Sequence, residues 1–132
     1  MIKFKLVGFC LLFLSSSVYS ACDDPPAMNV DWQNCVKTGV NLKGKNLRNA
    51  NFSGIDLKFA NLENADVSGA DFTGAIMLGA NLEGVNFENA NLTASFLTKA
   101  KIAGAKFDNA ILDGAHWVNG QPCVAKSIGI CK

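Results

Sequence analysis

Residues 60–74 read ANLEN, ADVSG and ADFTG, and this five-residue pattern continues without a break from Val40 to Asn119. Sixteen such units fill these eighty residues, and a large apolar residue holds the third place in every unit. Ala holds the first place in most units, and Asn or Asp holds the second place in ten. Segment 40–119 therefore decides the fold of the 132-residue chain, which we predict to be a single domain.

A strict period of five excludes the two common regular structures. An α-helix requires apolar residues three and four apart, and a strand requires them two apart. Within one unit, the first and third places lie on the same side of an extended backbone. Gly, Asn and Asp recur where the chain must turn. We therefore expect each unit to be a short extended segment followed by a corner, with four corners closing a coil of about twenty residues.

This pattern resembles the motif A-[D/N]-L-x-x of the pentapeptide repeat family. The resemblance covers 40–119 closely and 30–39 loosely, because Lys37 falls where a large apolar residue is expected. It implies an all-β fold, namely a right-handed quadrilateral β-helix of about four coils, with the first and third places facing inward. It implies little about function, since the functions of the family are diverse.

The N-terminus has the residue order of a secretory signal peptide over 1–21. Lys3 and Lys5 form a basic start, residues 6–14 are apolar, and small residues follow. The apolar run is too short for a transmembrane helix. We expect cleavage just before Ala21 or Cys22, and export to the periplasm or out of the cell. The alternative is a bacterial lipoprotein anchored to a membrane through an acylated Cys22.

Four cysteines remain after cleavage, and an even number in an exported chain suggests disulfides. A disulfide requires Cα atoms within about 7 Å, whereas the ends of the expected rod lie roughly 19 Å apart. Pairing within each end is therefore favoured, as Cys22–Cys35 and Cys123–Cys131. We predict that 22–39 is an N-terminal lead-in and degenerate first half-coil, and that 120–132 is a C-terminal cap over the last coil.

No combination of residues in the sequence indicates catalysis. The one histidine, His116, holds a second place and so points outward. There is no Gly-x-Ser-x-Gly, phosphate-binding loop or Cys-x-x-Cys, and the cysteine spacing is poor for zinc. We expect no enzyme activity, no cofactor and no metal. A formal net charge of +1 argues against a nucleic-acid-binding surface built on basic patches.

One side of the coil breaks the rule that outward places are polar. Beside the inward column that ends at Trp117, the outward residues are large and apolar, and we call them the apolar face: Phe59, Ile76, Leu78, Phe96 and Val118. A contiguous apolar stripe marks contact with another surface. Three interpretations are open: the face binds a protein partner or a second copy, residues 25–29 or 127–130 cover it, or the assumed register is wrong.

The sequence favours an exported, non-catalytic scaffold that presents the apolar face to a protein partner. The alternative is a DNA mimic that binds a topoisomerase, as in the gyrase-protecting members of the family. Those members rely on a long acidic rod. Here, removing Lys3 and Lys5 from the 12 Lys and Arg leaves ten, against 11 Asp and Glu. Export would also separate this protein from gyrase.

Overall fold

A computed structural model describes residues 21–132. The helical structure in that range is one short 3-10 turn, Ala21–Asp23. The β structure consists of single-residue bridges rather than extended strands. Fourteen parallel bridges join residues that are twenty apart, from Asp31↔Asn51 to Phe96↔His116. Twenty residues therefore make one coil of four units, and the expected extended segment shrinks to one bridged residue at the second place.

Each unit turns at its fourth and fifth places. The N–H of the next first place donates to the third-place carbonyl, as from Ala50 to Leu47 at 3.2 Å. The fifth-place residue has a positive φ, which is the geometry of a type II turn and favours Gly or Asn. From Gly44 to Gly114, every fifth place is Gly or Asn except Phe59, Ala94 and Lys99, with φ of 58°, 55° and 62°.

Second-place side chains support these corners. The Oδ1 of Asn61 accepts a hydrogen bond from the N–H of Glu63 at 3.0 Å, and the Oδ1 of Asp71 accepts one from Thr73 at 2.9 Å. This arrangement is an Asx turn. It recurs in all ten units of 40–119 that have Asn or Asp at the second place. The second-place preference in the sequence therefore reflects stabilisation of the corner.

First- and third-place side chains form one continuous core along the coil axis. Leu62, Phe72 and Met77 are 0% exposed, and the rings of Phe52 and Phe72 pack with centroids 5.0 Å apart. In the last coil, however, three third-place residues become half-buried: Ile102, Phe107 and Trp117. The core is therefore closed at one end of the described chain and partly open at the other.

The N-terminal end is closed by the lead-in. Val36 bridges to Asp56, so residues 30–39 keep the register despite Lys37. The Lys37 ammonium lies 4.2 Å from the centroid of the Trp32 ring and donates to the carbonyl of Cys22 at 2.5 Å. Cys22 is also bonded to Cys35. Lys37 therefore joins the lead-in to the first half-coil, which explains a cation at a third place.

The C-terminal cap lies across the end of the last coil. Ile128 forms an antiparallel bridge with Ile111, and Pro122 forms one with His116. The N–H of Leu112 donates to the carbonyl of Ser127 at 2.8 Å. The Cys123–Cys131 disulfide, with Cα atoms 5.0 Å apart, closes the cap on itself.

Candidate protein-binding face

The structure brings the residues of the apolar face together on one side of the coil. Ile76 and Phe96 hold second places in successive coils and are joined by a parallel bridge. Leu78 and Val118 hold fourth places two coils apart on the same side, and Phe59 holds the fifth place at the adjoining corner. Phe59 is 70% exposed and Phe96 is 38% exposed, whereas Ile76, Leu78 and Val118 are half-buried.

Phe59 is held in a conformation that disfavours a bulky residue. Its φ is 58°, in the left-handed region, where a residue other than Gly or Asn costs on the order of 1–3 kcal/mol. Its ring lies over Gly79 in the next coil, because a Cβ added there would lie 2.8 Å from two ring carbons. At the equivalent corners, the Asn34 and Asn64 amides lie over Gly54 and Gly84.

A groove of about 310 Å³ lies beside this ring. It is lined by Phe59, Leu78, Gly79, Thr98 and Lys99. Lys99 has a φ of 62°. Among the fifth places of 44–114, three residues other than Gly and Asn have a positive φ, and two of them, Phe59 and Lys99, line this groove. Backbone strain of this kind concentrates at functional sites.

The second places of the apolar face, like those of the last coil, lack the Asx hydrogen bonds that support the other corners. Ile76 and Phe96 replace Asn or Asp at the second place, so neither side chain has an oxygen to accept the fourth-place N–H. Each missing Asx hydrogen bond lowers the free energy of unfolding by about 0.5–1.5 kcal/mol. Two adjacent coils therefore keep large apolar side chains at some local cost, which is the pattern of a contact surface.

Two residues of the same column were not assigned to the face from sequence. His116 stacks on Phe96 with ring centroids 4.9 Å apart and planes 16° apart. Val36 is 76% exposed at the other end of the column. The twenty-residue spacing of positions 36, 56, 76, 96 and 116 is the signal that identifies both. Lys37 does not fit the repeat, which hides the place of Val36 in the column, and an outward second place indicates only a surface position for His116.

Asp56 separates Val36 from the rest of the column. Its carboxylate accepts a hydrogen bond from the Lys58 N–H at 3.0 Å and pairs with the Lys58 ammonium at 3.2 Å. Burial raises the pKa of Asp56, but the bonds and charge of Lys58 outweigh this effect and hold that pKa below its ordinary value. The polar boundary of the apolar face is therefore a carboxylate that stays ionised.

Within residues 21–132, segments 25–29 and 127–130 form their backbone hydrogen bonds at the two ends of the coil and none with the apolar face. The lead-in stays at the N-terminal end, where the N–H of Asn29 donates to the carbonyl of Arg48 at 2.9 Å. Segment 127–130 lies at the other end, where Gly129 donates to Ala110 at 2.9 Å. The start of the cap reaches only the border of the face, where Pro122 is bridged to His116. The observed bridges also follow the register assumed from sequence. The structure therefore favours an available face over coverage by residues 25–29 or 127–130.

The other predicted site residues are the cysteines. Cys22 and Cys35 have Cα atoms 5.6 Å apart, so each predicted pair is brought together at its own end of the coil. In the described part of the chain, no cluster of His, Cys, Asp and Glu has the arrangement to hold a metal ion. The same part contains no helix long and apolar enough to cross a membrane. The predicted signal peptide, 1–21, lies outside the described residues except for Ala21.

Comparisons with solved structures give pentapeptide repeat proteins. One is the crystal structure of alr5209 from Nostoc PCC 7120, with 26% identity and a TM-score of 0.58, covering 66% of this chain and 82% of that chain. HetL, involved in heterocyst differentiation regulation in Nostoc sp. strain PCC 7120, shares 25% identity with a TM-score of 0.40, covering 71% of this chain and 52% of that chain. QnrB1, a plasmid-mediated fluoroquinolone resistance protein, shares 18% identity with a TM-score of 0.42, covering 67% and 63%.

No curated protein sequence matches the chain. The family model described as pentapeptide repeats (8 copies) matches residues 38–74, 50–89 and 80–116. These matches together span 38–116, which is more than half of the 132 residues. The chain therefore belongs to the pentapeptide repeat family, whose members are right-handed β-helices.

Proposed function

We propose that the protein is an exported, non-catalytic scaffold whose apolar face binds a protein partner. The observation that carries this proposal is the exposed Phe59, held at a positive φ over Gly79 on the same side of the coil as exposed Phe96. Side chains that lower local stability, and that also expose aromatic surface, are explained by a contact made outside the coil.

The groove beside Phe59 indicates which side chain the partner inserts. Its lining combines two large apolar residues, Phe59 and Leu78, with Gly79, Thr98 and Lys99. Aromatic anchors in desolvated pockets dominate protein interfaces, and polar rims surround them. A large apolar side chain of the partner fits this groove, with a hydrogen-bond acceptor near Lys99. The face spans three coils, or roughly 10–15 Å along the axis at about 4.8 Å per coil.

Export is the second part of the proposal. It is supported by the basic, apolar and small-residue order of 1–21, and by two cysteine pairs at bonding distance. Disulfides persist in oxidising compartments, which include the periplasm and the extracellular space. Bonding of Cys22 to Cys35 favours the soluble form over the lipoprotein, since acylation of Cys22 would leave Cys35 unpaired.

The charge pattern supports the DNA-mimic alternative less well than it supports the scaffold. Glu63 and Glu83 point outward in one column, but Lys43 and Lys101 stand at either end of the same side. Lys43 pairs with Glu63 at 3.2 Å and reduces the acidic character further. An acidic surface interrupted in this way is a poor copy of the evenly spaced phosphates of a duplex.

The experiment that tests the proposal is the double variant Ile76→Asn with Phe96→Asn. It removes two of the five apolar side chains of the face and provides an Asx acceptor at each second place. We expect unfolding stability to stay the same or to rise, and association to be lost, as measured by light scattering and by capture of the partner from the exported fraction. The control Asp66→Asn with Asp71→Asn changes second places on polar sides, keeps each Asx acceptor, and retains binding. A double variant that binds as the parent does, or that fails to fold, contradicts the proposal.

A further inference from the structure

The C-terminal cap completes only two of the four sides of the coil. The second-place columns that end at Ile111 and His116 continue into the cap through Ile128 and Pro122. The columns that end at Lys101 and Lys106 are bridged only to the preceding coil. We call residues 100–107 the open edge, because no backbone group of the cap forms a hydrogen bond with them. The cap approaches this segment only at its end, where a Cβ added to Gly129 would lie 3.5 Å from the carbonyl oxygen of Phe107.

The open edge carries backbone groups without partners. In the preceding coil, the N–H groups of Leu82, Gly84 and Phe87 donate to carbonyls of the open edge at 2.8, 2.9 and 2.8 Å. Their counterparts one coil later, Ile102, Gly104 and Phe107, find no acceptor among the described residues. The carbonyls of Ala100 and Ala105 likewise accept no backbone N–H there. This is an unpaired parallel edge, the structural feature that recruits an added strand.

Core side chains are also exposed at this edge. Ile102 and Phe107 are half-buried, whereas Leu42 and Leu47, in the same columns at the N-terminal end, are 1% and 0% exposed. The lead-in lies over that N-terminal end. At the other end Cys131 of the cap packs against the core, but Ile102 and Phe107 stay half-buried. An added strand would therefore gain apolar burial as well as hydrogen bonds.

The charge at the open edge defines the partner. Lys101 and Lys106 hold second places where the preceding coil has Asn81 and Asn86. Both lysines are exposed, and neither forms an ion pair within 21–132. Residues directly opposite each other on paired strands interact, and opposite charges there are favourable. A strand added to this edge is best matched by a carboxylate facing each lysine.

We propose that the open edge binds an extended peptide segment of a partner protein by strand addition. The segment carries an acidic residue followed by a large apolar residue. The acidic side chain pairs with Lys101 or Lys106, and the apolar one packs on Ile102 or Phe107. Two such pairs that begin five residues apart, joined by a turn like the corners of the coil, would engage both sides. The site is separate from the apolar face and does not depend on it.

Stacking of a second copy on the open edge is blocked by the geometry of the coil. Because one coil has twenty residues, a second copy stacked on the open edge would place its residues 41–49 directly over residues 101–109 of the first copy. The half-coil 30–39 of the second copy would then occupy the space that residues 110–119 of the first copy already fill. Lys45 and Arg48 of the second copy would also approach Lys101 and Lys106. A short acidic peptide avoids both the steric overlap and the repulsion between cations.

A synthetic decapeptide with the sequence of residues 65–74, blocked at both ends, is a suitable probe. It contains Asp66-Val67 and Asp71-Phe72, five residues apart. We expect its addition to ¹⁵N-labelled protein to shift the amide resonances of Ile102, Gly104 and Phe107, and to slow their hydrogen exchange at least about tenfold. Absence of these shifts at millimolar peptide, or shifts confined to the apolar face, would overturn the proposal.

Charge reversal tests the recognition itself. We expect Lys101→Glu with Lys106→Glu to weaken binding of the decapeptide about fivefold or more, and a decapeptide with Lys in place of both Asp residues to recover binding to this variant. The control Lys45→Glu with Arg48→Glu changes the N-terminal end and leaves binding unchanged. The Ile76→Asn with Phe96→Asn variant also retains it, which separates this site from the proposed function. Equal binding by the reversed variant, or self-association of the protein through the open edge, contradicts the proposal.

Discussion

The ring of Phe59 lies on the corner glycine of the next coil, Gly79, where an added Cβ would come within 2.8 Å of two ring carbons. At neighbouring corners an Asn amide occupies the same position over a glycine, as Asn34 does over Gly54. The protein thus uses the packing of an ordinary corner to hold an aromatic ring, 70% exposed, beside a groove.

Replacing Gly79 by Ala should displace this ring. Gly79 has a φ of +64°, so Ala strains the backbone, and its Cβ would also clash with the Phe59 ring. Gly74→Ala is the matched control, because Gly74 has a φ of +65° with nothing within 4 Å of an added Cβ. In urea unfolding we expect Gly79→Ala to cost about 1 kcal/mol more than Gly74→Ala, and to weaken partner binding. Equal costs and unchanged binding would show that the ring position is unimportant.

Replacing Phe59 by Asn should stabilise the coil while removing its exposed aromatic ring. Asn tolerates the left-handed φ of 58° and can lie over Gly79 as Asn34 lies over Gly54. We expect a gain of about 1 kcal/mol in unfolding free energy, together with loss of association. Ala94→Asn, at a φ of 55° and outside the apolar face, should give a smaller gain and leave association intact. Destabilisation by Phe59→Asn would instead assign the ring a structural role.

Removing the Cys22–Cys35 bond with Cys22→Ser and Cys35→Ser should release the lead-in. The bond closes a loop of 13 residues, and a loop of this size is worth roughly 3 kcal/mol. Lys37 and the Trp32 indole would also lose their partners at Cys22 and Asp24. We expect lower unfolding stability and faster hydrogen exchange confined to the N-terminal coil. Non-reducing peptide mapping that found a Cys35–Cys123 bond would contradict the pairing.

The acid stability of the coil should depend on Asp56. Since its pKa is lower in the folded protein than its ordinary value, ionised Asp56 stabilises the fold above the unfolded pKa of about 3.9. That contribution is lost as the pH falls through the folded pKa. Asp56→Asn keeps an oxygen for the Lys58 N–H but has no charge, so its stability relative to the parent should rise below about pH 4. Parallel stability curves for the two proteins between pH 2 and 7 would contradict this assignment.

The period of five predicted the fold because each place has one physical task. Leu62 fills the core, Asn61 supports the corner, and Asn64 accepts a positive φ. The apolar face was also visible from sequence, since Ile76 and Phe96 break the second-place rule. The strain at Phe59 and its packing on Gly79 depend on how successive coils stack, which the repeat alone does not specify. The open edge was missed for the same reason, because only the path of the cap shows which sides it leaves uncovered.

The central claim, that the apolar face contacts a protein partner in the exported protein, is tested most directly by site-specific photo-crosslinking. A benzophenone amino acid is placed at Phe59, Phe96 or, as a control on a polar side away from the open edge, Asn46, and the exported fraction is irradiated. We expect one adduct of the same mass from positions 59 and 96, and none from position 46. No adduct from positions 59 and 96, or the same adducts from all three positions, would contradict it.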